Sequence, residues 1–209
     1  MTSKEELVIC GAGQQGRVCK RLAIESGYSV VAFVDDTKTE NVENVPIYQK
    51  IADVPDFWRK RFFVAIGDVS ARRKFIDQIA EMHLQSVNLI DKAAYIEEGA
   101  KIGVGNYIGK LAIVYASAEI GNHNIINCKA AIATDSIVGS NCNISMGCNI
   151  CAGVNIGDNS YIGCQASVVC GCTIGNDSTV GAGSVVLNDV PPKAFVAGTP
   201  AIRKERNKK

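Results

Sequence analysis

Between Ile96 and Val186 every sixth residue is isoleucine or valine, sixteen positions without a slip in register. Two places before each stands a small or short residue, from Ala94, Ala100 and Asn106 to Ser178 and Ser184, with Val154 as the one larger member. Glycine often follows the branched residue, as in "KIGVGNYIG" and "TIGNDSTVGAG". No ordinary domain carries a period of six. It predicts three short strands per turn, stacked as a triangular solenoid of eighteen-residue coils. The branched residues then fill the prism, and the small residue before each corner is demanded by the tightness of the turn. Glycine is expected at the corner to relieve backbone strain. Coils one strand spacing apart, about 4.8 Å, pair their backbone groups with the coils on either side, so each is stable only when flanked. Residues 94–186 give about five coils of a parallel β-helix.

Residues 1–90 follow a different pattern. "ELVICGAGQQGRVCKRLAIESG" reads as an apolar strand, a glycine turn and a helix, and "YSVVAFVDD" as a second strand ending in two carboxylates. "RFFVAIGD" is a third strand, "SARRKFIDQIAEMHL" a helix carrying His83, and "SVNLID" a closing strand. Alternating strands and helices predict a small parallel Rossmann-like sheet. Trp58, between strands, is expected to pack rather than bind. Beyond Val186 the period fails at the prolines of "LNDVPPKAFVAGTPAI", a segment expected to fold back over the last coils as a cap. The expected domains are therefore 1–90, 91–187 and 188–209.

Lys plus Arg number 22 against 21 Asp plus Glu, so the formal charge of +1 favours neither nucleic acid nor an anionic membrane as partner. The basic tail "IRKERNKK" reads as a frayed end. No apolar stretch approaches the length of a membrane span, and "MTSKEE" lacks the apolar middle of a signal peptide. No membrane insertion and a cytoplasmic location are expected. In that setting the nine cysteines are not read as a disulfide framework. Cys148-x-x-Cys151 and Cys170-x-Cys172 raise the alternative of zinc, but Cys142, Cys148 and Cys172 fall in the small corner slot, where packing explains them. No two cysteines are eighteen apart, so no stacked cysteine ladder and no metal are expected; Cys128 and Cys151 remain as candidate reactive thiols.

Gly11-Ala12-Gly13-x-x-Gly16 follows a strand and opens a helix, with Asp35 and Asp36 about twenty residues on. That is the context of a nucleotide fingerprint: helix amides near Gln14 can take a phosphate, and the carboxylates a ribose or base. A plain tight turn is the other reading. The unit is too short for a second nucleotide-binding half, which favours one nucleotide or a nucleotide-linked group over NAD. Gly67, Asp68 and Arg72 of "IGDVSARR" stand at a second strand end on the same edge, although Arg72 also suits a solvated helix face. His123, three residues after Ile120, lies in a corner and reads as structural.

With "ELVICGAGQQGRV", "VVAFVDD", "VAIGDVSARR" and the repeats closing on "VGAGSVVLNDVPPKAFVAGTPAI", the whole chain resembles the bacterial sugar O/N-acyltransferases. These are hexapeptide-repeat proteins of the sialic acid O-acetyltransferase and nucleotide-amino-sugar N-acetyltransferase type. The resemblance implies a left-handed β-helix, a homotrimer, acetyl-CoA in the groove between neighbouring helices, and a nucleotide sugar, a UDP-amino sugar first, on the N-terminal domain. It further implies cofactor contacts at Gly163, Gly181, Ala182, Ala197, Gly198 and Pro200. The implied sugar-nucleotide contacts are Gly11, Gly13, Gln14, Gln15, Asp35, Asp36, Gly67 and Arg72.

Four histidines of the family pattern are replaced. Gln14 and Gln15 stand where a Gly-His pair follows "GAG", and Asp91 stands in "LIDKAA" for "LIHPSA". Thr134 replaces the catalytic base of the "HD" step while its acidic partner survives as Asp135, and Asn143 replaces the histidine of "HISPG". A positioned base contributes roughly 10²–10⁴-fold, about 3–5 kcal/mol, whereas juxtaposing two substrates supplies about 7–11 kcal/mol. Loss of the base is therefore more tolerable for an amine than for a sugar hydroxyl. The expected catalytic set is Asp135, Thr134 and Asn143, acting in N-acetylation of a nucleotide-linked amino sugar for surface glycans. The alternatives are a different acyl donor or acceptor, or a ligand-binding or structural trimer without catalysis.

Overall fold

The computed structural model describes residues 4–205, so residues 206–209 of the basic tail lie outside the described residues. The chain separates into two compact units, Met1–Ile90 and Asp91–Lys209.

In the first unit a five-stranded sheet takes the order β3-β2-β1-β4-β5. Its strands are β1 (Glu6–Cys10), β2 (Ser29–Val34), β3 (Ile47–Tyr48), β4 (Arg61–Val64) and β5 (Gln85–Ser86), all pairing parallel. The near-continuous apolar runs "LVIC" and "FFV" reflect burial of the sheet on both faces, as parallel strands require. Val8 and Cys10 join Phe75 and Ile79 of α2 (Val69–Glu81) in one cluster, while Leu7 and Ile9, also fully buried, serve the other face.

Both helices are closed by their end residues. Asp68 caps α2 by accepting from the Ala71 amide at 2.7 Å. His83 lies just past that helix at φ +53°; its amide donates to Ala80 O, and the Leu84 amide to Ile79 O, the paired bonds of a Schellman stop. Gly27 and Tyr28 repeat the arrangement after α1 (Gln14–Glu25). Histidine at 83 is thus a helix stop rather than a helix-face residue. Trp58, expected to pack, is 62 % exposed and meets Phe57 edge-on at 5.3 Å.

In the second unit each two-residue strand pairs parallel with the strand eighteen residues on, as in Ile113 with Ala131 and Asn149 with Ser167. Three stacked sheets form the faces of the prism. From Ile108 to Val186 every member of the isoleucine–valine series is at most 3 % exposed. Fifteen consecutive corners, Gly99 to Gly183 at intervals of six, each hold one residue at positive φ, among them His123 and Asp135.

The glycine directly after each branched residue has a different duty from the one expected. Gly121 and Gly163 have ordinary φ, but a Cβ on them would lie 2.6 Å from Gly139 O and 2.5 Å from Ala182 N. These glycines let successive coils approach; the strained corner position comes two residues later and is filled by glycine, by polar residues and once by Leu111.

The small slot also does more than fit. Asn106, Asn124, Ser136, Cys142, Cys148 and Ser160 each donate from the side chain to the carbonyl fifteen residues on, for example Cys148 Sγ to Gly163 O at 3.0 Å. Asn124 is the centre of one such ladder: its amide donates to Asn106 Oδ1, its Oδ1 accepts from the Cys142 amide and its Nδ2 donates to Gly139 O. Asn124→Ala therefore strands buried groups, each at about 1–3 kcal/mol. We expect a lowered denaturant midpoint for the second unit, read by urea titration, with Asn124→Ser intermediate.

Past Val186 the coil first continues before the chain turns back. Val190 bridges to Ile174, and Phe195–Ala197 pairs parallel with Thr179–Val180 at an offset of sixteen instead of eighteen. Ile202–Arg203 then returns antiparallel on Val196–Ala197 and ends the sheet.

Candidate active site

At the carboxyl edge of the N-terminal sheet, β1 and β4 lie side by side while their connections leave in opposite directions, the switch point at which open α/β sheets bind ligands. Gly11, at φ +102°, has no room for a side chain: a Cβ would lie 2.7 Å from Ile66 Cγ1. Gly16 is closer packed still, its Cβ position 2.1 Å from Gly11 O, which lets α1 start hard against the strand. Gly13 and Gly67 face open space, with nothing within 4 Å of a built Cβ. At both positions the loop leaves room beside the backbone.

Asp35 and Arg72 are occupied by the chain itself. Asp35 Oδ2 accepts from the Ala12 amide at 2.8 Å, and Oδ1 accepts from the Thr37 amide, the Thr37 hydroxyl and the Lys38 amide. Its carboxylate locks the glycine loop to the end of β2. Arg72, expected either at a ligand or on a solvated face, is 1 % exposed and donates to Ile66 O at 2.8 Å, holding the β4–α2 turn. Asp36 and Gln14 are exposed; Gln15 is half-buried, with Nε2 on Cys19 Sγ.

Burial pulls the Asp35 pKa up, but the hydrogen bonds from Ala12, Thr37 and Lys38 outweigh it and hold the group below its ordinary 3.8. A depressed carboxyl stabilises the fold above its unfolded pKa and loses that contribution as pH falls through the lower folded value. We therefore expect an acid-induced loss of stability in the N-terminal unit beginning below about pH 4. Asp35→Asn should flatten that part of a stability–pH curve followed by hydrogen exchange.

In the β-helix, Thr134 and Asp135 lie exposed on one corner, Asp135 at φ +58°. Thr134 O accepts from the Gly153 amide of the next coil at 3.0 Å, and Ser136 beside them bonds Cys151 O at 2.8 Å, so the corner is fixed from both sides. Asn143 is elsewhere. It lies in a strand of another face, paired with Ile125 and Tyr161, and is only 7 % exposed. Half a coil separates it from Thr134, and one protomer does not bring the two together. His123 occupies a different corner from Thr134, its ring packed over Gly105.

Gly163, Gly181 and Ala182 stack on consecutive coils of a further corner; Gly163 is against Ala182 N and Gly181 has Ala197 Cβ 2.8 Å from its Cβ position. The Gly198 amide donates to Ser184 Oγ, and Pro200 follows Thr199 across a cis bond; Gly198 and Pro200 are both exposed. Packing of the prism alone thus accounts for Gly163 and Gly181, while Ala182, Gly198 and Pro200 are open to a ligand. The donors of the small slot and the Asp68 cap were invisible in the sequence; the recurrence of Ser, Cys and Asn there was the available signal.

Residues 6–79 match the family described as the PglD N-terminal domain, and residues 153–188 the bacterial transferase hexapeptide repeat. Among solved structures, perosamine N-acetyltransferase from Caulobacter crescentus is 30 % identical over 98 % of this chain and 99 % of its own, with a TM-score of 0.92. That enzyme was solved with CoA and GDP-perosamine, including histidine-to-asparagine and histidine-to-alanine mutants. The acetyltransferase domain of PglB from Neisseria gonorrhoeae is 28 % identical over 96 % of this chain and all of that one, TM-score 0.90. An uncharacterized protein of Acanthamoeba polyphaga mimivirus is 28 % identical over 102 residues, 48 % of this chain; the match spans a fifth of that relative's length. Among the described residues no helix is long and apolar enough to cross a membrane. With a glycine-loop sheet and an eighteen-residue coil each matched along nearly its full length, the chain belongs to the hexapeptide-repeat sugar acyltransferases, left-handed β-helix proteins with a PglD-type N-terminal domain.

Proposed function

We propose that this protein transfers the acetyl group of acetyl-CoA to the amine of a nucleotide-linked amino sugar, in the cytoplasm, for surface-glycan synthesis. The carrying observation is the whole-chain likeness to an N-acetyltransferase solved with CoA and GDP-perosamine. Its histidine mutants were solved with the same two ligands, so in that protein both remain bound when the histidine is replaced.

On this reading the sugar nucleotide meets the glycine edge of the N-terminal sheet, with Gly13 and Gly67 offering backbone to phosphate. The relative carries guanosine rather than the uridine expected first, and both belong in the substrate panel. The amine attacks the thioester carbonyl, the oxygen becomes negative, and the CoA thiolate leaves. Thr134 donates its hydroxyl to the forming oxyanion, and Asp135 orients the amine and accepts its proton. The protein acts as a homotrimer, with the exposed Thr134 corner facing the neighbouring protomer. Juxtaposition then carries most of the rate, about 7–11 kcal/mol.

Calorimetric titration with acetyl-CoA and with GDP- and UDP-linked amino sugars tests the reading. Micromolar binding of acetyl-CoA and of one sugar nucleotide is expected, with sedimentation at three times the chain mass. No heat from acetyl-CoA at millimolar concentration would reject it. Turnover of Asp135→Asn should fall by about 10²-fold, the lower range for a proton acceptor. The replacement of histidine by Thr134 favours one second reading, a trimer that binds both ligands without turnover. Heat from both ligands without product would establish that version.

A further inference from the structure

The corner ridge that carries Thr134 and Asp135 continues over the next coils as Cys151-Ala152-Gly153 and Val169-Cys170-Gly171. Two backbone bonds clamp these segments together: the Cys151 amide donates to Val168 O at 3.1 Å and the Gly171 amide to Ala152 O at 3.0 Å. Cys151 and Cys170 therefore sit on neighbouring coils, offset by one residue. Cys170 is among the groups that act on the Cys151 thiol, and both are free. Coils about 4.8 Å apart and an offset of about 3.3 Å place the two Cα atoms roughly 5.8 Å from each other, inside the 4.4–6.8 Å span of a disulfide. Expecting neighbours only at eighteen residues overlooked this pair, which is nineteen apart.

We propose that Cys151 and Cys170 form a redox-active dithiol that closes to a disulfide between consecutive coils, stapling the ridge of the candidate site. The proposal stands independently of acetyl transfer. Cys170 is exposed and Cys151 half-buried, which sets the order of events. The Cys170 thiolate attacks one sulfur of a small external disulfide, forming a mixed disulfide and expelling one thiolate. The Cys151 thiolate then attacks the Cys170 sulfur and expels the second. Two protein thiols are oxidised, one external disulfide is reduced to two thiols, and the protons of the protein thiols pass to the departing thiolates. Burial, and next the neighbouring Cys170, push the Cys151 thiol above its ordinary value, which suits a resolving partner rather than a first attacker. The buried cysteines are poor competitors: burial pushes Cys19 to about 12 and Cys148 to about 11.

The test uses the reduced full-length protein, glutathione disulfide at neutral pH, and intact mass. Cleavage before aspartate separates the two thiols at Asp158, where no lysine or arginine would serve. The parent should lose two hydrogens and yield one linked pair of peptides joined through Cys151 and Cys170, with a raised melting temperature. Cys151→Ser should instead retain glutathione on Cys170, and Cys170→Ser should form no internal bridge. The proposal is overturned if the parent keeps glutathione on Cys170 without closing, if the bridge maps to Cys172 or another thiol, if the two-hydrogen loss persists in Cys151→Ser, or if neither thiol reacts.

Discussion

Thr134→His should raise acetyl transfer to an amino sugar by about 10²-fold or more, with KM for acetyl-CoA little changed. The corner is prepared for that side chain. Thr134 is exposed, lies outside the left-handed region that its neighbour Asp135 occupies, and its carbonyl is already held by the Gly153 amide. An imidazole placed there stands next to a carboxylate that can orient it, and a positioned base is worth roughly 10²–10⁴-fold. The gain belongs to the chemical step, so it should appear in kcat and kcat/KM alike. A new ionisation near pH 6.5 should appear in the kcat/KM profile, rate rising as the imidazole loses its proton. A variant no faster than its parent at any pH would show that this corner is not where the amine is deprotonated. The same experiment divides the two readings above, because a protein that holds both substrates but lacks a base should gain turnover from a single substitution.

Gly163→Ala is expected to destabilise the β-helix by roughly 1–3 kcal/mol or more, the range for overpacking a tight interior. Its Cβ would fall 2.5 Å from Ala182 N and 2.8 Å from the Gly181 carbonyl carbon, both backbone, so no side chain can swing away. For a chain of this size each kcal/mol lowers the melting temperature by about 2–4 °C. Gly67→Ala, with open space at its Cβ, is the matched control: melting unchanged, sugar-nucleotide affinity reduced. Should Gly163→Ala weaken acetyl-CoA binding while leaving thermal melting untouched, the packing role assigned to this glycine is wrong.

The β-helix was legible because its period is also its geometry. Residue i meets residue i+18, so a pattern along the chain is a map of contacts, and the buried series from Ile108 to Val186 follows directly. The duties of the glycines that follow the branched residues were not legible, since the atoms they would strike belong to the next coil. Asp35 and Arg72 show the same limit in the N-terminal unit. Their chemistry suits a ligand, and nothing in the local sequence says that the Ala12 amide and the Ile66 carbonyl have already taken them. Asn143 could be aligned with a family histidine by its flanking residues, but its distance from Thr134 required the faces of the prism to be drawn. Cys142 and Cys148 were read as filler, and their sulfurs turn out to be donors in the same ladder as the serines.

The left-handed residue that recurs at fifteen corners has a consequence for how such a chain can change length. Adding or losing one residue would shift every later corner off its permitted conformation and turn the branched side chains outward. Adding or losing a complete turn leaves all columns aligned. Duplication or excision in whole multiples of the coil is thus the mutational step this architecture absorbs, and it would slide the Thr134 ridge along the column without rebuilding it.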